Sequence, residues 1–304
     1  MAMEYEKTSR NTVNRLGKRG AYDYETVHRI IDSSPILHVA FNPVDDPDGF
    51  PTVLPMLGCT AAYTEHATEA DHTIPAAPAT TESTTDPSTT APGAFPSEDD
   101  DDGPADTLDT DIDNDDPSAP RSIYLHGWVS ARLLRAPGGT RVCVSAAHVD
   151  GAVLALAPFH NSANYRSAVA YGLASPVTDA RERDFALRRI TDNFARARWA
   201  HSRGPPTNAE LTSTGVLRVD IESASAKVRV GGPNDDRADL ADEKVAGETW
   251  IGVVPMYTVY GTPIPGPLNR VAKVPAYIEK WREESNREAE RYAVWAVTAG
   301  ESKK

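Results

Sequence analysis

Three short segments of the sequence concentrate polar side chains that are able to hold an anion. FHNSANYRS at 159–167 brings imidazole, amide, phenol, guanidinium and hydroxyl groups together, a density that is typical of a ligand site. In SASAKVR, Lys227 and Arg229 stand two residues apart, so in a strand they share one face and can meet a phosphate or a carboxylate. HGWVSAR at 126–132 adds an imidazole, a hydroxyl and a guanidinium. Together the segments indicate an anionic ligand, although each alone also fits a solvated strand edge.

Other patterns that carry chemistry are weaker or missing. LGKRGAYD at 16–23 places Lys18, Arg19 and Tyr22 beside a glycine, which suits either an anion clamp or a solvated N-terminal arm. His38 lies inside an apolar strand pattern, where a core histidine is favoured over a metal ligand. No two histidines stand at ligand spacing with a third, so no metal site is predicted, while haem held through one histidine stays open. The motifs GxSxG, HExxH and GxxxxGK[ST] do not occur.

The acidity of the chain is concentrated in one stretch. Sixteen Asp and Glu lie between Glu65 and Asp116, and no Lys or Arg occurs between Arg29 and Arg121. Without those sixteen residues the formal net charge of −13 becomes +3, so the overall acidity says little about what the rest of the chain binds. Thr, Pro, Ala, Ser and Asp dominate 64–119, with almost no periodic apolar residues. We therefore predict a disordered acidic insertion there.

Six segments with the composition of β-strands surround this insertion. They are 36–41, 50–58, 122–134, 140–156, 165–179 and 215–230. Asp-Pro and Asp-Gly at 45–49 predict a hairpin between the first two strands, and Pro-Gly-Gly at 137–139 predicts another between the third and fourth. Six strands in meander order favour a closed antiparallel barrel or a sandwich over a parallel sheet.

Two helices are predicted in addition to the strands. Helical patterns at 179–200 and 275–297 predict two helices packed on the barrel.

Two cysteines, Cys59 and Cys143, cannot build a disulfide scaffold, and they indicate a reducing, cytoplasmic setting. No apolar run is long enough for a membrane span, and the N-terminus has no apolar signal core. Nucleic-acid binding is disfavoured because no concentrated basic patch carries interleaved aromatic residues.

The order of the motifs resembles that of one family. KRGAYD, ILHVAF, PTVLP, YLHGWVSARLLR, the run at 142–172, SASAKVRVGGPNDD and WIGVVP follow one another as in the flavin-nucleotide-binding proteins related to pyridoxamine 5′-phosphate oxidase, which include nitroimidazole-resistance proteins. The resemblance implies a mainly β fold, a six-stranded antiparallel split β-barrel with peripheral helices, which binds FMN at a homodimer interface. The resemblance covers about 10–255 apart from the insertion. We predict that 1–260 form this domain around the insertion and that 261–304, outside the resemblance, form a Pro-rich linker and a C-terminal helix.

The resemblance also implies which residues hold the flavin. Ser130 and Arg132 are expected at the phosphate, His126 and Gly127 beside the ring system, and the backbone of PTVLPMLG along the flavin edge. The NYRS and SAK-R elements are expected to close the site, some of them from the partner chain. The full predicted cofactor-binding set is Pro55, Met56, Leu57, His126, Gly127, Ser130, Arg132, Asn164, Tyr165, Arg166, Ser167, Lys227 and Arg229.

The function that follows is an FMN-dependent oxidoreductase. It would pass electrons from a reduced nicotinamide to a small planar acceptor of the nitro or quinone type, with the redox chemistry supplied by the cofactor. Lys227 or Arg229 would stabilise the anionic reduced ring, and His38 or His126 would donate a proton to the acceptor. The alternative is a non-catalytic flavin- or haem-binding protein. A third hypothesis is an interaction module whose acidic loop recruits a basic partner.

Overall fold

Strands provide most of the architecture. The structure, a computed structural model, describes residues 3–64 and 116–299. Its strands are β1 Gly20–Ala21, β2 Leu37–Phe41, β3 Thr52–Ala61, β4 Ser122–Trp128, β5 Thr140–Leu154, β6 Ser162–Pro176, β7 Thr214–Arg229 and β8 Gly252–Pro255. Its α-helices are α1 Tyr24–Asp32, α2 Ala180–Phe194, α3 Asn208–Ser213, α4 Arg237–Ala241, α5 Glu243–Glu248 and α6 Ala276–Thr298. The predicted disordered insertion lies outside the described residues, apart from its two ends.

Six of these strands close into an antiparallel barrel. The order β7-β4-β3-β2-β5-β6 returns to β7 through the β6–β7 pairing, while β1 adds to β7 and β8 adds to β5. The predicted six-stranded antiparallel split barrel with peripheral helices is therefore confirmed. In β2, Leu37, Val39 and Phe41 are buried, while His38 and Ala40 between them face outward. This period of two is what a strand with one face on a core requires.

Two details of the predicted topology are wrong. The strands are not in meander order, and the turn at 137–139 does not join β4 and β5 into a hairpin. β4 already pairs with β3 and β7, whereas β5 pairs with β2 and β6. The chain therefore crosses the end of the barrel between 129 and 139 to reach the free edge of β2. The predicted hairpin between β2 and β3 is confirmed.

Helices cover parts of the barrel and close its core. Asp23 begins α1 by accepting a hydrogen bond from the Thr26 backbone amide at 2.8 Å. Val27, Ile30 and Ile31 of this helix are fully buried in the barrel core. Burial of each such side chain stabilises the fold by about 1.5–3 kcal/mol. On the outside, α2 packs across β3 and β4, as the predicted helix at 179–200 requires.

The C-terminal helix predicted from 275 to 297 is confirmed as α6, which packs against β5 and β8. The Gly231 amide donates to the Ala296 carbonyl at 2.7 Å and so anchors the end of this helix. Between β8 and α6 the chain has no regular helix or strand, and Ile264 and Leu268 are 90% and 91% exposed there. The domain boundary at 260 stays a prediction. None of the described helices has both the length and the apolar character needed to cross a membrane.

Candidate functional site

β3 changes partner in the middle of its length, which opens a gap beside β4. Thr52–Met56 pair with β2, whereas Leu57–Ala61 pair with β4. Beyond His126, β4 continues along β7 as far as Trp128 and leaves β3. Among the described residues, no strand therefore covers the β4-facing edge of Thr52–Met56, and such an edge presents backbone N–H and C=O groups. We call this opening the fork, with Thr52–Met56 on one side and 126–132 on the other.

The fork has an apolar floor and a charged tip. A Cβ atom at Gly127 would lie 3.1 Å from Leu134 Cδ1 and 3.6 Å from Met56 Cε, so the glycine lets the floor approach β4 closely. At the tip, the Arg132 guanidinium donates to Asp45 of the β2–β3 loop at 2.9 Å and holds the pKa of that carboxyl below its usual range. Because this ion pair is exposed, an incoming anion can displace the carboxylate at small cost.

One imidazole borders the fork, and a second lies one strand away from it. His126 forms the last pair of the β3–β4 ladder, opposite Leu57, and it also pairs with Val216 of β7. Burial lowers the pKa of His126, so this ring is neutral at pH 7. His38 lies opposite Pro55 on the outer face of β2. Neither imidazole forms a hydrogen bond with any other residue that the structure describes.

More than half of the predicted cofactor contacts meet at the fork. They are Pro55, Met56, Leu57, His126, Gly127, Ser130 and Arg132. Met56 is only 7% exposed and its side chain joins the core beneath the floor of the fork, so its accessible groups there are those of its backbone. His38 stands beside this set, but its interpretation as a core histidine is wrong. Strand alternation turns position 38 outward, away from the core that holds Leu37 and Val39.

The remaining predicted contacts lie on the far side of the barrel. They are Asn164, Tyr165, Arg166, Ser167, Lys227 and Arg229. Two strands separate β3 from β6 along either path around the closed barrel. On β7, Lys227 is eleven residues beyond Val216, the neighbour of His126, and this is about 35 Å of extended strand. One protomer therefore does not bring the two groups together.

Two of these far residues hold the end of α6. The Arg229 guanidinium donates to the Asn164 side-chain carbonyl and, at 3.1 Å, to the Gly232 backbone carbonyl. The Asn164 amide in turn donates to the Ala296 carbonyl at 3.2 Å. Both side chains are buried, so these bonds compensate for their desolvation. Whether Asn164 and Arg229 also contact a cofactor stays a prediction.

Arg166 and Ser167 are also engaged within the protein. Arg166 donates to Asp150 at 3.2 Å, and its guanidinium lies 3.8 Å from the centre of the Tyr292 ring of α6. Burial raises the pKa of Tyr292 to about 12. The Ser167 hydroxyl donates to the Lys227 backbone carbonyl at 3.3 Å, which leaves the half-exposed Lys227 ammonium group on the outer face. Of the far group, this ammonium is the cation most accessible to a ligand.

One sequence signal for the fork was overlooked. Pro55 lies inside β3, and proline cannot donate a backbone hydrogen bond to a neighbouring strand. Proline within a strand is confined to edges and bulges, so its presence indicates that one side of this strand is open. The ion pair between Arg132 and Asp45 was also missed, because the two residues are far apart in the sequence.

Comparison with known proteins agrees with this geometry. Residues 116–228 match the family described as pyridoxamine 5′-phosphate oxidase. Over these residues the chain is similar to that family, and its described strands form a split β-barrel. Among solved structures, the flavocytochrome Anf3 from Azotobacter vinelandii is 25% identical, with 90% of this chain and 97% of that chain covered and a TM-score of 0.62. The FAD and haem binding protein from Mycobacterium smegmatis is 23% identical, with 87% and 97% covered and a TM-score of 0.58. No curated protein sequence is significantly similar.

Proposed function

We propose that this split-barrel protein binds a flavin nucleotide together with haem. The observation that carries the proposal is the fork, where the His126 imidazole, without a hydrogen-bond partner in the described structure, stands beside an open strand edge. A second such imidazole, His38, lies one strand away on β2. Similarity to a flavocytochrome along 90% of this chain and 97% of the relative supports the same pair of cofactors. The non-catalytic flavin- or haem-binding alternative is thus better supported than the specific oxidoreductase reaction.

The fork offers the groups that a flavin nucleotide needs. The open edge of Thr52–Met56 supplies backbone donors and acceptors for the polar edge of the ring system. Arg132 supplies a guanidinium for the phosphate, in exchange for its exposed bond to Asp45. When bound, a flavin supplies hydride and single-electron transfer. FMN, which the sequence resemblance implies, and FAD, which the Mycobacterium smegmatis protein binds, share these contacts, and the released nucleotide distinguishes them.

The imidazoles fit haem iron. An axial histidine must be neutral, with one ring nitrogen free to bind the metal. His126 meets the first condition because burial lowers its pKa, and both His126 and His38 meet the second. We propose that one of these two rings is the axial ligand. Their apolar neighbours Leu57, Pro55 and Val216 suit the face of a porphyrin.

A second copy of the chain completes the proposal. Lys227 and its neighbours are too far from the fork of their own protomer, so they can contact the same cofactor only from a partner. The outer face of β2, β5 and β6 is uncharged at Ala40, Cys143, Ser145 and Val169, which suits a barrel-to-barrel interface.

Val169→Arg should therefore convert a dimer into monomers in sedimentation equilibrium and should lower cofactor content. A wild-type protein that sediments as a monomer while fully loaded would contradict the dimer.

The electron donor and the electron acceptor of the reaction stay predictions. Transfer of electrons from a reduced nicotinamide to a nitro or quinone acceptor is compatible with a flavin at the fork. None of the fork residues that the structure describes is specific for a nicotinamide. Proton donation by His38 or His126 competes with the haem role, because a ring nitrogen bound to iron cannot carry the proton.

Single-histidine variants test the haem assignment. His126→Ala and His38→Ala are purified as full-length chains and titrated with haemin, with the Soret band as the readout. His148→Ala is the matched control, since that imidazole already bonds to the Ser33 hydroxyl at 3.1 Å. We expect one of the two test variants to lose the Soret shift while the control keeps it. Wild-type haem binding in both test variants would overturn the assignment.

A further inference from the structure

Three side chains capable of binding a metal converge away from the fork. His160 belongs to the 3₁₀ turn Pro158–His160 between β5 and β6, while Asp236 and Asp239 follow β7 at the start of α4. One ligand atom from each residue lies within 4.8 Å of the others. The Nε2 atom of His160 is 3.8 Å from the Asp236 carboxylate. An imidazole nitrogen and two carboxylates thus face a common point.

A buried carboxylate stands behind the imidazole. The Asp235 side chain is only 2% exposed, and its Oδ1 atom lies 3.8 Å from Nδ1 of His160. The Leu156 backbone amide donates to the same oxygen at 2.8 Å and fixes its position. Nδ1 of His160 is itself buried and has no hydrogen-bond partner within 3–64 and 116–299. The imidazole thus has a carboxylate near one ring nitrogen and ligand groups near the other, and a closure of about 1 Å would form the hydrogen bond that orients metal-binding histidines.

The Asp236 side chain does not cap α4, although it stands at the N-cap position. It occupies the N-cap position of α4, where an aspartate normally accepts a hydrogen bond from the first helical turn. Here its side chain forms no capping bond and instead faces His160. The same side chain is 76% exposed, so a cation can reach the three ligands from solvent.

We propose that His160, Asp236 and Asp239 bind one divalent first-row transition-metal ion, with Asp235 as a positioning residue. Imidazole and carboxylate together suit Zn²⁺, Mn²⁺ or Fe²⁺, whereas Mg²⁺ and Ca²⁺ prefer oxygen ligands alone. Zinc bonds of about 2.0–2.2 Å place neighbouring ligand atoms about 3.5 Å apart. The His160–Asp236 separation of 3.8 Å therefore needs little closure, and the whole set, within 4.8 Å, needs at most about 1.3 Å. The ion would tie the β5–β6 turn to the segment after β7.

Calorimetric titration with Zn²⁺ tests the site on the full-length chain after chelator treatment. The acidic residues of 65–116 also attract divalent cations, so the variants decide the assignment. Asp236→Asn changes an exposed side chain, so this variant should fold, and we expect it to weaken the tightest Zn²⁺ site at least about tenfold. Asp235→Asn should weaken it by about 10- to 100-fold, as loss of an orienting partner does. Glu243→Gln, a neighbouring carboxylate outside the ligand set, is the matched control and should bind as the wild type does.

A spectroscopic readout separates coordination from general attraction of cations. In nuclear magnetic resonance spectra, one equivalent of Zn²⁺ should shift the His160 ring signals in the wild type and in Glu243→Gln, but not in Asp236→Asn. Equal Zn²⁺ affinity in all variants would place the cation on the acidic stretch and overturn the proposal. Unshifted His160 signals in the wild type would overturn it as well.

Discussion

Acid should weaken the protein through one buried imidazole. His28 of α1 is fully buried, and its Nδ1 atom lies 2.8 Å from the Pro117 backbone carbonyl. Because a carbonyl only accepts, Nδ1 carries the proton and Nε2 accepts from the Tyr5 hydroxyl at 2.6 Å. Burial lowers the pKa of His28 to about 4. The neutral ring thus joins the N-terminal segment, α1 and the residues that follow the acidic stretch.

The magnitude follows from the two pKa values. The His28 imidazole titrates near 6.5 in the unfolded chain and near 4 in the folded protein. The free energy of unfolding linked to this difference is about 3 kcal/mol, fully present above pH 6.5 and lost as the pH falls through 4. At pH 5 the unfolded state is mostly protonated and the folded state is not, so about 2 kcal/mol has already been lost.

Urea unfolding followed by tryptophan fluorescence at pH 7, 6 and 5 measures this effect. His28→Gln keeps a donor and an acceptor but cannot titrate, so its stability deficit should shrink by about 2 kcal/mol between pH 7 and pH 5. Tyr5→Phe is the control: it removes the hydroxyl but retains the titrating imidazole, so its stability deficit should change less with pH than that of His28→Gln. A deficit of His28→Gln that stays constant with pH would refute the reasoning.

Three further predictions test the contacts around the barrel. Asn164→Leu should lower the free energy of unfolding by about 1–3 kcal/mol in urea titrations, because it leaves the buried Arg229 without one of its acceptors. Arg132→Ala should weaken flavin binding by about tenfold or more in fluorescence titrations. Asp45→Asn should not, since it removes the closer of the two carboxylates that compete for the guanidinium and leaves only Asp46 at 3.6 Å. Gly151→Val should detach β8 and speed amide exchange at 252–255, because a Cβ atom there would lie 2.8 Å from a valine side chain of that strand.

Local patterns predicted the strands but not their neighbours. The apolar and β-branched composition of 36–41 predicts a strand, and the structure confirms it as β2, although His38 faces outward and not into the core. Turn residues at 137–139 predict that the chain reverses, but they carry no information on which strand receives it. The crossing to β2 follows from the occupied edges of β4, which is a property of the whole sheet.

A high density of polar residues occurs both at an open site and in a buried hydrogen-bond network, and the sequence alone does not distinguish the two. At 126–132 it marks the fork, where Arg132 and His126 remain accessible. At 159–167 a similar density marks a buried network, because Asn164 and Arg166 bind α6 and its neighbours. The partners of Asn164 and Arg166 are known only once the position of α6 is known.

The proposed metal ligands could not be predicted from the sequence either. No metal site was predicted, because no histidines stand at ligand spacing. His160 and Asp236 meet only after β6 and β7 have folded back along the barrel. Their approach is set by the long antiparallel pairing between the two strands, so no short motif records it.

The visible absorption spectrum of the purified full-length protein tests the central claim most directly, with mass spectrometry of the small molecules that denaturation releases. We expect flavin absorption and a Soret band in one preparation, together with released haem and a flavin nucleotide. A colourless protein that also binds neither added flavin nor added haemin would contradict the account.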